Sequence, residues 1–178
     1  MIKEIHTERL IIRKAKDSDL EAILKNIWSD ERISKMMLWK NTYDLDEAKD
    51  RLKRTIAFQS DKDAFFICLK DNDEAIGMIG IKKIDDGIYE DGGLCIAYNY
   101  QHQGYGKEAL NALLKIVFKE YDGKRFIYTC FKENENSKRL AKSLGFKYFK
   151  SHEAIREYDG YKYICEEYYL DVEDYNGR

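Results

Sequence analysis

One stretch constrains this chain more than any other: Leu94 to Phe118, LCIAYNYQHQGYGKEALNALLKIVF. It reads as a strand, a tight loop with two glycines, and a long amphipathic helix. The loop is Gln101-His102-Gln103-Gly104-Tyr105-Gly106. Glycine lets the backbone turn sharply and approach a ligand with no Cβ in the way. The helix that follows offers unpaired N–H groups and the positive end of its dipole. Together they make an anion site built from backbone, suited to a pyrophosphate. It is no P-loop, because no Gly-Lys-Ser/Thr closes it, and it lacks the third Gly of the dinucleotide fingerprint.

The rest of the chain supplies strands and helices around this unit. Ile5 to Lys14 is a first strand. Asp17-Ser18-Asp19-Leu20 starts a helix, with Ser18 or Asp17 as N-cap and Leu20, Ile23, Leu24 and Ile27 on its apolar face. Residues 28–43 carry both tryptophans, Met36 and Met37, a stripe that reads first as core. Asp44 caps a helix from Leu45 to about Gln59, with Leu45, Ala48, Leu52 and Ile56 on one side. Ala64–Lys70 and Ala75–Ile84 form a hairpin about the turn 71–74, and Ile88–Ala97 leads into the opening stretch. After it come a strand, Arg125–Phe131, and a short helix, Asn134–Leu144, stopped by Gly145. Phe146–His152 and Tyr161–Leu170 are the last strands, and Glu173–Arg178 is a loose tail. The order β-α-α-β-β-β-α-β-α-β-β predicts an α+β, mixed fold in one domain spanning 1–178.

Composition narrows the function classes. A net charge of −2 argues against a protein that grips nucleic acid by neutralising phosphates. No run approaches the ~18 apolar residues of a membrane helix, and MIKEIHTERLIIRK is charged throughout, unlike a secretory signal. Cys68, Cys95, Cys130 and Cys165 sit apart in apolar runs, with no metal-ligand spacing. They read as reduced, buried thiols of a cytoplasmic protein.

The pattern Gln101-x-x-Gly104-x-Gly106, followed by Glu108-Ala109-Leu110, then Asn134-x-x-Ser137 and Gly145-Phe146, resembles the acyl-CoA-binding core of the GCN5-related N-acetyltransferases (GNAT). Thr7-Glu8-Arg9-Leu10-Ile11-Ile12-Arg13 resembles the opening of the ribosomal-protein branch of that superfamily, the RimJ/RimL-like enzymes. The role expected of Arg9 and Arg13 is that of a solvated strand face. The resemblance covers nearly the whole chain. It implies a central, mostly antiparallel twisted sheet of six to seven strands with about four helices. It also implies acetyl-CoA as co-substrate, an amine as acceptor, and no metal, and a homodimer is compatible with it.

Site roles follow from the same resemblance. The loop from Gln101 and His102 through Gln103, Gly104, Tyr105, Gly106 and Lys107 would hold the pyrophosphate, with Lys107 and Lys138 near the 3′-phosphate. The strand Leu94-Cys95-Ile96 would lie along the pantetheine arm, with a bulge at Gly92-Gly93. Asn134 would hold a pantetheine amide. The proton acceptor would be Asp91, with Glu90 beside it on the opposite face. Many members donate a proton from a Tyr seven residues after the motif Asn; that position is Ala141 here. Ser137 is the replacement the branch suggests, and Tyr128, Tyr158 and Tyr163 are other hydroxyls. The expected activity is acetyl transfer to a protein N-terminus or a small amine. Its rivals are a non-catalytic acyl-CoA-binding module on the same fold and a plain interaction domain.

Overall fold

The computed structural model describes residues 2–177. The strands are β1 (Glu4–His6), β2 (Leu10–Arg13), β3 (Ala64–Leu69), β4 (Ala75–Asp85), β5 (Ile88–Ile96), β6 (Arg125–Phe131), β7 (Lys147–Arg156) and β8 (Tyr161–Asp171). The helices are α1 (Leu20–Ile23, continued by a wide π turn to Trp28), α2 (Glu31–Ser34), α3 (Leu45–Gln59), α4 (Tyr105–Lys119) and α5 (Glu135–Ser143). All eight strands form one sheet in the order β1-β2-β3-β4-β5-β6-β8-β7. Among the described residues its neighbours pair antiparallel except β5 with β6, which are parallel. The mixed α+β class is as expected. Among the described residues the strands number eight rather than six to seven, and the helices five rather than about four.

Helices cover both faces, so the middle strands are apolar on both sides. In β3, Phe65 and Ile67 pack with α4, while Phe66 and Cys68 pack with α1 and α3. Leu110, Leu113, Leu114 and Val117 seat α4 on the sheet, each contributing roughly 1.5–3 kcal/mol by burial. This fixes the start of α4 against the ends of β2 and β5. Ile23, Ile27, Trp28, Ala48 and Leu52 build the opposite layer.

The N-terminal segment departs from the single strand Ile5–Lys14. It breaks at Thr7-Glu8-Arg9 into the hairpin β1–β2. The cause is tertiary: the Glu108 carboxylate of α4 accepts from Thr7 Oγ1 at 2.6 Å and from Arg9 N at 2.8 Å, bending the chain around it. Arg13 is not on a solvated face. It is 2% exposed, forks onto Asp19 at 2.8 and 2.9 Å, and reaches Asp73 through Nε at 2.7 Å. Asp19 also accepts from Lys16 N, so it closes the turn expected of Asp17 or Ser18. The tail is not loose up to Tyr175, whose ring packs on Phe118 and whose hydroxyl donates to Asn111; Arg178 lies outside the described residues.

Removing one partner of a buried pair leaves the other charge uncompensated, at a cost of roughly 3–5 kcal/mol. Arg13→Met should therefore lower Tm by about 10 °C in a thermal melt. A shift under about 2 °C would mean that the pair does not hold the hairpin.

Candidate active site

The site begins where β5 and β6 part. They pair only from Ile88↔Arg125 to Glu90↔Ile127, and beyond that β5 keeps its ladder with β4 alone, through Leu94↔Ile79, Cys95↔Met78 and Ile96↔Gly77. Between Ile79 and Ile81 of β4, β5 advances from Leu94 to Asp91, one residue more than β4 does. That is the bulge expected at Gly92-Gly93, and Gly93 has a φ of 98°, which favours glycine.

Asp91 sits at the fork. Its Oδ1 accepts from Thr129 N at 2.7 Å and Thr129 Oγ1 at 3.0 Å across the gap on β6, and its Oδ2 accepts from Gly93 N at 3.2 Å. Burial pushes the carboxyl up to about 6, against the pull of the Thr129 and Gly93 hydrogen bonds. Asp91 lines neither pocket described below. Glu90 is paired with Lys82.

The fork opens into a cleft of ≈ 860 Å³. Leu94, Cys95 and Ile96 form one wall, and the loop Gln101, His102, Gly104, Tyr105, Gly106 and Lys107 forms its end. Tyr128, Asn134 and Ser137 form the wall opposite, and Met36 and Met37 overhang it. Of the tryptophan–methionine stripe read as core, Trp28 is core and the two methionines belong to this cleft. Gln103 is outside the lining.

The loop is braced from behind. Gln101 Nε2 donates to Ile96 O and Gln103 Nε2 to Asn99 O, each at 3.0 Å. Arg9, expected to be solvated, ties three parts together. It pairs with Glu108 at 2.7 Å, donates to Gln103 O at 2.9 Å, and lies over the Tyr105 ring at 4.4 Å. Partial burial would raise the Glu108 pKa, but hydrogen bonds from Thr7 and Arg9 outweigh it and hold the carboxyl below its ordinary value. The Thr-Glu-Arg-Leu motif carried this signal; its link to Glu108, 99 residues from Arg9, was not legible.

With the loop so held, the amides of Gln103 to Lys107 meet no acceptor among the described residues. They point from the N-terminus of a 15-residue helix, which is the chemistry a pyrophosphate needs. His102 and Lys107 are exposed at this end, whereas Lys138 is paired with Glu135. Across the cleft, Asn134 caps α5 by accepting from Ser137 N at 3.1 Å, leaving its amide NH₂ free. The Ser137 and Tyr128 hydroxyls lie 2.6 Å apart. Ala141 is fully buried in the core, so that position has no room for a tyrosine. The Cys95 thiol is pushed up to about 12 by burial, which leaves it inert.

A second pocket of ≈ 440 Å³ opens on the other side of the bulge. Gly92 and Gly93 line it, together with Trp39, Phe58, Phe65, Met78, Lys40, Glu47, Arg51 and Arg54. The two pockets come close at Gly93: it lines the second, its neighbour Leu94 lines the first, and its missing Cβ would stand 3.8 Å from the Met37 side chain of the first cleft. Tyr158 and Tyr163 line neither pocket.

The two loop glycines differ. Gly104 has a φ of 86°, and a Cβ there would come within 3.2 Å of Arg9 Nη2. At Gly106 a Cβ would meet only ordinary contacts, at 3.6 and 3.7 Å. Gly104→Ala should weaken coenzyme A binding by calorimetry about tenfold or more, since the left-handed backbone costs about 1–2 kcal/mol for a side-chain-bearing residue and the free loop escapes that cost by leaving the geometry the anion needs. Gly106→Ala should stay within about threefold. Equal affinities for the two variants would contradict this assignment of the loop.

Residues 9–147 match the family model for the acetyltransferase (GNAT) domain. The chain is 32% identical over 144 residues to YnaD, an uncharacterized N-acetyltransferase of Bacillus subtilis strain 168, covering 80% of this chain and 82% of that protein. An acetyltransferase of the GNAT family from Bacillus anthracis has the same fold at a TM-score of 0.81 and 26% identity, covering 96% and 99% of the two chains. The ribosomal-protein-S5-alanine acetyltransferase from Vibrio fischeri shares the fold at a TM-score of 0.76 and 17% identity, covering 98% and 100%. The family match takes in the brace at Arg9, the parted strands, the glycine loop and the serine of α5: this chain belongs to the GNAT acetyltransferase family.

Proposed function

We propose that this protein is an acetyl-CoA-dependent N-acetyltransferase of the RimJ/RimL-like branch, acting in the cytoplasm and passing acetyl directly from the thioester to a primary amine. The observation that carries the reading is the approach of two pockets to each other across Gly93 and Leu94, one of them ending in a backbone anion nest. The four unbridged thiols support a reducing compartment.

In this reading the amides of Gln103 to Lys107 bind the pyrophosphate, and the unpaired edge of β5 from Leu94 to Ile96 aligns the pantetheine arm. The Asn134 amide NH₂ is available to an amide carbonyl of that arm. The acetyl carbonyl comes to lie beside Gly93, within reach of a neutral amine in the second pocket. The C–N bond forms, the C–S bond breaks, the amine gives up a proton, and the thiolate gains one. Ser137 donates that last proton, and the Tyr128 hydroxyl, 2.6 Å from it, re-supplies Ser137 and takes a proton back from solvent through the open cleft that both line. Burial first, then the nearby Asp91, raises the Tyr128 pKa, so the phenol keeps its proton at neutral pH.

The sequence points to Asp91 as proton acceptor. Its three hydrogen bonds and its absence from both pocket linings instead support a positioning role: holding β5 and β6 apart at a fixed angle. The amine's proton then leaves to solvent through the open second pocket.

Ser137→Ala should lower kcat by about 10²-fold with acetyl-CoA affinity nearly unchanged. Tyr128→Phe should give a smaller loss of the same kind, and wild-type kcat in both would remove the relay. Asp91→Asn puts a second donor opposite Thr129 N and Gly93 N. It should lower kcat/KM by a similar factor across pH 5.5–8.5. Loss of an acid limb near pH 6 in that variant alone would return Asp91 to the role of base. A stability check has the opposite sign from an ordinary ion-paired carboxylate. The folded pKa of about 6 lies above the ~3.9 of an unfolded Asp, so the folded state holds the proton more tightly. The wild-type protein should lose stability relative to Asp91→Asn as pH rises from about 4 to about 6.

A further inference from the structure

The second pocket carries more charge than an ordinary amine site calls for. Its lining holds three cations, Lys40, Arg51 and Arg54, against one carboxylate, Glu47. Arg51 is the one that is built in. Its guanidinium lies between the rings of Trp28 and Trp39, 4.6 Å from each centroid. Its Nη1 is used, donating to Lys40 O at 3.1 Å and to Thr42 Oγ1 at 3.0 Å. Among the described residues no acceptor meets Nε or Nη2, and no carboxylate pairs with the group. Those two nitrogens form the side of the guanidinium that takes a carboxylate through two parallel N–H···O bonds. Burial, with Arg54 adding to it and Glu47 opposing, pulls the Arg51 pKa down to about 10. An anion beside it would relieve that cost. Trp39, Phe58 and Phe65 add aromatic walls, and Met78 and Ile79 aliphatic ones.

Building on the N-acetyltransferase reading, we propose that the acceptor amine also carries a carboxylate, and that Arg51 binds it side-on through Nε and Nη2. The substrate class is an amino acid or a small derivative of one with a free carboxylate and an apolar side chain. The cavity, at ≈ 440 Å³, suits a molecule of that size. The cation excess opposes a polyamine, and the carboxylate grip is of no use to the N-terminus of a long chain.

The test is transfer from acetyl-CoA to matched pairs: the standard L-amino acids against their carboxamides, with spermidine and a C-terminally amidated peptide alongside. At least one apolar amino acid should be acetylated with kcat/KM about 10²-fold or more above its carboxamide, because the amide cannot take the fork. Arg51→Lys keeps the charge but not the fork, and should raise KM for the acid about tenfold or more while acetyl-CoA binding is unchanged. A second readout needs no turnover and no variant. The only two tryptophans of the chain flank Arg51, so their fluorescence should respond to the amino acid and not to its amide in the presence of coenzyme A. Equal use of acid and amide, or preference for spermidine or the peptide, would overturn the carboxylate proposal and leave the N-acetyltransferase reading standing. Coenzyme A binding with no transfer to any amine, and no fluorescence response, would overturn both.

Discussion

The Asp91 carboxylate joins β5 to β6 at the point where their ladder ends. Parallel strands that have begun to pair would ordinarily go on pairing, since each further step satisfies two backbone groups. Here Oδ1 takes the Thr129 amide and hydroxyl, and Oδ2 takes Gly93 N. A side chain thus replaces the next rungs, and the bulge turns β5 away. The edge of Leu94–Ile96 is left open on the side of the large cleft, and Gly93 is left bare between the two pockets. Burying a carboxylate for this purpose costs stability, which its raised pKa records.

A second constraint acts at the far end of the cleft. A helix N-terminus binds an anion well only if its amides are free and stay in place. Helix α4 is held through its apolar face, and its first turn is held through Glu108, which gathers Thr7 and Arg9 from the β1–β2 hairpin. Arg9 then passes that rigidity to the loop through Gln103 O. The brace uses side chains and loop carbonyls and spends none of the amides. The N-terminal motif and the glycine loop are therefore one device, although almost a hundred residues separate them.

The parts legible in sequence were those set by local rules. Helix α3 runs from Leu45 to Gln59, capped by Asp44, because periodicity and a good cap agree. The strand-loop-helix unit at Leu94–Phe118 has the expected parts for the same reason. What was not legible depends on distant partners. Ile5–Lys14 has the pattern of one strand, and the Thr7–Leu10 turn that breaks it is fastened by Glu108, a residue of a distant helix. Arg13 alternates like a solvated residue, and only the burial of Asp19 and the approach of Asp73 explain its depth. Position 141 looked like a missing proton donor; packing under α5 shows it to be a core site. The second pocket had no motif at all, since its walls come from residues 39–42, α3, β3, β4 and the bulge.

We propose that the gap between β5 and β6, ending at the free amides of α4, is the acetyl-CoA cleft. Hydrogen–deuterium exchange with and without acetyl-CoA tests it without reference to turnover. Protection on binding should concentrate in peptides covering residues 94–96, at the open edge of β5, and 103–107, whose amides meet no acceptor among the described residues. Binding accompanied by unchanged exchange in both segments, or by protection centred elsewhere on the sheet, would contradict the account.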